Sequence, residues 1–220
     1  MSMRTSLTLM CLLVAVSVIA GTAGAAPSFF GPTGLVTIPT ADSLNKGEYN
    51  LAAFVVGADE GGDFTTVAGN LGIVKNLEAG ITYIKPEDTS GKVWLNAKYT
   101  FMPETTKNPA VAGGVIDLTD ETDTTAYFVL SKAFGHRVDT SLGEITSPRF
   151  HLGVGGGQFD GLFAGVSAGL GERFTIMAEY DSEDINLGAR FAATPEVRIH
   201  LGTFDGLGDV GLGVSYNKYL

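Results

Sequence analysis

Apolar residues recur at every second position through most of the chain. In LFAGVSAGL, Leu162, Ala164, Val166, Ala168 and Leu170 share one face and Phe163, Gly165, Ser167 and Gly169 the other. After the turn residues GE, Phe174, Ile176, Ala178 and Tyr180 oppose Arg173, Thr175, Met177 and Glu179. Beyond SED, Ile185, Leu187, Ala189 and Phe191 oppose Asn186, Gly188 and Arg190. Beyond TPE, Val197, Ile199 and Leu201 oppose Arg198, His200 and Gly202. A last run sets Val210, Leu212, Val214 and Tyr216 against Gly211, Gly213, Ser215 and Asn217. Side chains repeat every two residues on a strand and about every 3.6 on a helix, so the pattern predicts strands. Earlier runs near 47–57, 64–74, 77–85, 91–102, 109–118, 124–134 and 149–157 bring the number to about twelve.

Alternation does not say where the apolar face points. In a soluble sandwich it would face a core, and the opposite face would carry solvated Lys, Glu and Thr. Here the opposite face is mostly Gly, Ser and Asn with scattered charges, and the apolar faces end in aromatics: Tyr83, Tyr99 with Phe101, Tyr180, Phe191 and Tyr216. A small, polar inner face behind an apolar band with aromatic ends is what a transmembrane barrel requires. The expected fold is therefore all-β, a transmembrane antiparallel β-barrel of about twelve strands over 47–220. A soluble secreted carbohydrate-binding β-protein is the alternative.

The turns sort by charge. Every second connection, ADEGGD, PEDTSG, TDETD, QFDG, DSED and FDGLGD, is acidic and free of Lys and Arg. The others, KN, PETTKN, GHRVDTSLGEITSP, GE and TPE, balance their acids with Lys75, Lys107, Arg137 and Arg149. This sorting predicts an acidic external rim and chain ends in the periplasm. Residues 1–25 read as a cleaved signal peptide: Arg4, an apolar run from Leu7 to Ala20, then Ala23-Gly24-Ala25. The single cysteine, Cys11, lies inside it, so the exported part relies on hydrogen bonding and burial without disulfides. A net charge of −10 and the lack of a basic stripe argue against a nucleic-acid partner.

Candidate chemistry is sparse. The inward charges Lys98, Arg173, Glu179, Arg190 and Arg198, with His200, predict either an interior network that fills the barrel or a polar lining that guides a hydrophilic or anionic solute. Glu78 and His151 share the inward phase, and Glu179 is placed opposite Arg190. The acidic turns lack the ordered ligand spacing of a calcium loop, so no metal site is assigned. No cofactor is implied. Three histidines and no metal-spaced His pair speak against an enzyme; Ser167 and His151 fall on adjacent strands without a third residue to orient the histidine. No catalytic residue is assigned.

The segment 26–46 stands apart. Gly31, Gly34, Leu35, Pro39, Thr40, Ala41 and Gly47 punctuate it, and Thr40 could cap one helical turn stopped by Gly47. Two placements are open: an ordered strap under the rim, or a plug in which 31–43 folds into the mouth, where inward glycines leave room.

Four ordered stretches, GPTGLVTIPTADSLNKG, NPAVAGGVIDL, YFVLSKAFG and AEYDSEDINLGARF, resemble the YjbH-type outer-membrane barrel proteins associated with exopolysaccharide production. The resemblance implies an outer-membrane location, lipid contact, and a part in export or assembly of a surface polysaccharide beside periplasmic export components, with or without an open pore. Better-known members are several times longer, whereas this chain has room for one barrel. A structural or adhesive barrel presenting its acidic rim is the second functional reading.

Overall fold

The computed structural model describes residues 25–57, 62–135, 138–140 and 143–220. Thirteen strands follow in chain order: β1 (Glu48–Gly57), β2 (Phe64–Val74), β3 (Leu77–Pro86), β4 (Lys92–Met102), β5 (Ala110–Ile116), β6 (Thr125–Ala133), β7 (Val138–Thr140), β8 (Gly143–Gly155), β9 (Gly161–Leu170), β10 (Phe174–Tyr180), β11 (Ile185–Ala192), β12 (Val197–Phe204) and β13 (Asp209–Tyr219). Apart from β6 and β7, neighbours in sequence pair antiparallel. Two long-range ladders close the cylinder: β1 with β13, from Glu48↔Tyr219 to Gly57↔Val210, and β6 with β8, from Tyr127↔Gly155 to Ala133↔Arg149. The three-residue β7 pairs only with β8 and is an appendage, leaving twelve strands in the wall. Closure leaves no strand edge in the bilayer, where an unpaired amide cannot find water.

The pleat decides the rest. Leu51, Val55, Val67, Ile81, Leu95, Phe128, Leu162, Val166, Ile176, Leu187, Leu201 and Leu212 all point outward and are exposed. Their alternates, including Asn50, Phe54, Thr66, Asn70, Thr82, Asn96, Phe163 and Asn186, are buried. The apolar faces thus look away from one another, which overturns the soluble reading: in water this band would be one continuous greasy belt. Where the outward side chain is only Gly113, Phe101 and Phe128 stack over it with ring centroids 6.0 Å apart and keep the belt continuous.

Three local expectations are corrected. The stretch expected to be a loop before residue 149 instead extends β8 back to Gly143; Ser147 and Pro148 break the alternation because they form a bulge between the pairs Thr146↔Gly169 and Arg149↔Ser167. Strand β5 is shorter than 109–118 because Asp117 turns the chain with a φ of 56°. No helical turn follows Thr40. Gly47, at φ 79°, closes a tight turn in which the Glu48 N–H donates to the Asn45 carbonyl at 2.9 Å, and the Glu48 carboxylate accepts the Asn45 N–H at 3.0 Å. The proposed leader falls on residues outside those described, apart from Ala25.

Residues 26–44 lie inside the barrel. Phe29, Leu35, Val36, Ile38, Ala41 and Leu44 are buried, as are Thr33 and Thr37. The segment is a compact double turn held by its own backbone: Phe29 N–H to the Val36 carbonyl at 2.8 Å, Leu35 N–H to Ile38 at 2.8 Å, Gly34 N–H to Ala26 at 3.0 Å. Gly31 sits where φ is 108° and where a Cβ would lie 2.0 Å from Thr82 Oγ1, so glycine is required twice over. Gly34 is needed for closeness alone, since a Cβ there would meet the Ile38 carbonyl at 2.3 Å.

Candidate functional site: the filled lumen

Each turn of the inner segment meets a carboxylate on the wall. Glu179 of β10 accepts the N–H groups of Val36 at 2.9 Å and Thr37 at 2.7 Å, and the Thr37 hydroxyl at 2.6 Å. On β3, Glu78 accepts the Thr33 N–H at 3.0 Å, the Thr33 hydroxyl at 2.8 Å and the Leu44 N–H at 3.0 Å. Lys98 of β4 lies 3.8 Å from Glu78 and donates to the Thr33 carbonyl at 2.9 Å and to the Thr33 hydroxyl. Strand pairing aligns the Glu78–Lys98 pair directly, as Glu78↔Lys98.

Other wall groups serve the segment's carbonyls. Arg190 Nη2 donates to the carbonyls of Leu35 at 2.7 Å, Gly34 at 2.8 Å and Pro27 at 3.1 Å, while its Nε meets His200 Nδ1 at 3.2 Å. His200 Nε2 is 2.7 Å from the Ser215 hydroxyl. Asn70 donates to Gly31 at 2.7 Å, Thr100 to Ala41 at 2.9 Å, and Asn217 to Ala25 at 3.0 Å. Glu179 does not face Arg190: in register it pairs with Asn186, and Arg190 with Thr175, because the hairpin offset moves the two charges four positions apart along the sheet. Arg173 sits exposed in the β9–β10 turn, away from the clamps.

A third polar group went unassigned in the sequence. Asp42, on the inner segment, binds Arg149 of β8 through two oxygens, with Nη2 at 3.0 Å, and Arg149 reaches Glu104 at 3.0 Å. Burial alone would raise the Asp42 carboxyl, but the adjoining guanidinium holds it below its ordinary range. Arg149 opens the run expected at 149–157 and reads from the sequence as a rim charge, whereas in the barrel it points inward to Asp42. His151 bridges Ser131 at 2.7 Å and Ser167 at 3.3 Å, and Ser131 Oγ accepts the Ala41 N–H at 2.9 Å, so this Ser–His contact serves the segment's docking.

Small wall residues make the room. A Cβ built on Gly165 would approach Leu35 to 2.6 Å, and one on Gly188 would approach Val36 to 2.6 Å. Below the segment, at the rim carrying the chain ends, a vestibule of about 920 Å³ opens between Asp42, Glu48, Lys75, Glu104, Arg198 and Lys218. Among the described residues, no group of three or more His, Cys, Asp and Glu could hold a metal ion.

No protein-family model matches the chain, and no curated protein matches it in sequence. Solved structures do resemble it in shape. A structure titled KdgM porin superposes with a TM-score of 0.55 at 10% identity, covering 76% of this chain and 98% of that one. A NanC porin structure covers 76% of this chain and 98% of its own at 12% identity, with a TM-score of 0.47. The fold is that of an outer-membrane porin-type barrel. With its apolar belt, the protein is an outer-membrane barrel.

Proposed function

We propose that the protein is a non-enzymatic transport barrel for hydrophilic solutes, shut in the described state by residues 27–44. The observation that carries this reading is the chemistry of the docking. The wall grips the plug largely through carboxylates, amides, hydroxyls and a guanidinium bonded to plug backbone. Water or saccharide hydroxyls can replace every one of those plug groups, so withdrawal would leave a polar tract along the lumen. The porin-type fold supports the same reading. Its finer form follows from the resemblance to YjbH-type barrels: service in export or assembly of a surface polysaccharide, with periplasmic export components as partners.

One observation favours a second reading, a permanently filled structural or adhesive barrel. Burying Phe29, Leu35, Val36, Ile38 and Leu44 is worth on the order of 10 kcal/mol at the usual value per side chain. Spontaneous opening is then rare, and a gate needs a partner acting on the plug from the vestibule. Planar-bilayer conductance separates the two. Deleting 27–43 gives a steady pore on the transport reading; a silent deletion that keeps its heat-modifiable mobility sinks it. In the full chain, Val36→Cys with Gly188→Cys locks the plug by a disulfide, and reductant restores whatever openings the lock removes.

A further inference from the structure

A second group of cations borders a cleft beside the plug; of them, Arg190 also binds plug carbonyls. The bulge in β8 leaves Ser147 and Pro148 without partners across the ladder, and Ser147 takes a φ of 49° to make the bend. Bulges of this kind re-aim side chains and open space at barrel rims. Beside it is a cleft of about 80 Å³ bordered by Thr146, Ser147, Arg173, Thr175, Arg190 and Arg198. Glu172 also borders it, from the exposed turn. Its described lining includes no plug residue; the turn at Gly171 and Glu172 places it at the same rim as the vestibule, whose border Arg198 shares.

Arg190 and Arg198 come from adjacent inward positions, since β11 pairs with β12 through Arg190↔His200 and Ala192↔Arg198. Among the described residues, Arg198 Nη1 is buried and has no hydrogen-bond partner. A sealed guanidinium N–H without an acceptor is unfavourable, and an oxyanion beside it removes the penalty. The planar fork suits a carboxylate or phosphoryl group, which it can bind through two parallel bonds.

We propose that this cleft binds one oxyanion group, carboxylate or phosphoryl, presented from the periplasm by a soluble saccharide or phosphate ester. The inference deepens the transport reading by giving the solute its charge, and rests on that reading for calling the bound group cargo. Its test is made at equilibrium on the shut barrel, whereas the gate is tested by conductance after plug deletion, so either can fail alone.

The full chain in neutral detergent is titrated calorimetrically with glucuronate, inorganic phosphate and glucose. At least one anion binds, more weakly at high salt, and glucose does not. Arg198→Gln weakens that binding about tenfold or more, as loss of a charged hydrogen bond implies. Arg173→Gln, on an exposed turn, lowers it less and leaves the fold intact; heat-modifiable mobility checks both variants. Absence of anion binding, or equal affinity in Arg198→Gln, overturns the site. A short-chain anionic phospholipid that displaces phosphate while glucuronate cannot assigns the cleft to lipid headgroups and overturns the cargo.

Discussion

Glu78 and Glu179 hold the two turns of the plug from different walls, and they do so by different physics. Glu78 shares its site with Lys98 at 3.8 Å, so two charges are withdrawn from water together. Glu179 has no cation within ion-pair distance among the described residues; it relies on the N–H groups of Val36 and Thr37, the Thr37 hydroxyl and the Asn186 amide at 3.3 Å. Those donors fill the acceptor sites of the carboxyl group without bringing a second charge into the lumen. The difference matters when one partner is removed. Taking away Glu78 strands a buried ammonium, whereas taking away Glu179 strands only neutral donors.

The largest effect is therefore expected from Glu78→Ala, which costs about 3–5 kcal/mol as for other broken buried pairs. It is read as a fall in the temperature at which the barrel loses its compact electrophoretic form. Pairing Glu78→Gln with Lys98→Met removes both charges and recovers most of the loss; no recovery would mean the ion pair is not the reason. Glu179→Ala is milder, about 1–3 kcal/mol for amides left without an acceptor. Deuterium exchange speeds up at Val36 and Thr37 while Thr33 and Leu44 keep their protection. If it destabilises the barrel as much as Glu78→Ala, the contrast between the two clamps is wrong.

Gly188→Leu probes the second turn sterically. Its side chain enters the space of Val36 and costs about 1–3 kcal/mol by overpacking. Protease sensitivity is expected to rise within 33–40 and not in the wall.

The smallest effect lies outside the lumen, where Asp117 also gathers several donors on one carboxylate, at the acidic rim. It accepts the Thr122 N–H at 2.7 Å, the Glu121 N–H at 3.2 Å and the Thr119 hydroxyl at 2.7 Å. Desolvation would raise its pKa, but these donors outweigh it and hold the carboxyl below the ordinary value. A lowered folded-state value means that the stabilisation is complete above the unfolded pKa of about 3.9 and is lost as pH falls through the folded one. The protection factors of the Glu121 and Thr122 amides, taken relative to their intrinsic exchange at each pH, are thus flat above about pH 4 and fall below it. Asp117→Asn removes the pH step, and a step that survives the substitution would assign it to another group.

The clamps also mark what was legible beforehand. Glu179, Lys98, Arg190, Arg198 and His200 carry the inward phase of clean alternating runs, so their direction could be read from parity. Their partners could not. Expecting Glu179 to meet Arg190 failed because register is set by the hairpin offset, which the turn composition did not reveal. Arg149 shares the phase of His151 two positions on, but as the first residue of its run it reads as one of the rim charges and not as part of the lumen. Most of the plug's contacts on the wall are made by its backbone, which has no side-chain signature.

The sequence by itself determined the strands, their inner and outer faces and the charge difference between the rims, because a period of two residues and the chemistry of turn residues are local. Only the tertiary structure decided that 26–44 fills the lumen, which carboxylate meets which amide, and that a bulge in β8 brings Ser147, Arg190 and Arg198 around one cleft. Those outcomes depend on ring closure. Closure fixes the distance across the barrel, and residues over a hundred positions apart become neighbours through the cylinder's geometry, which alternation along the chain does not encode.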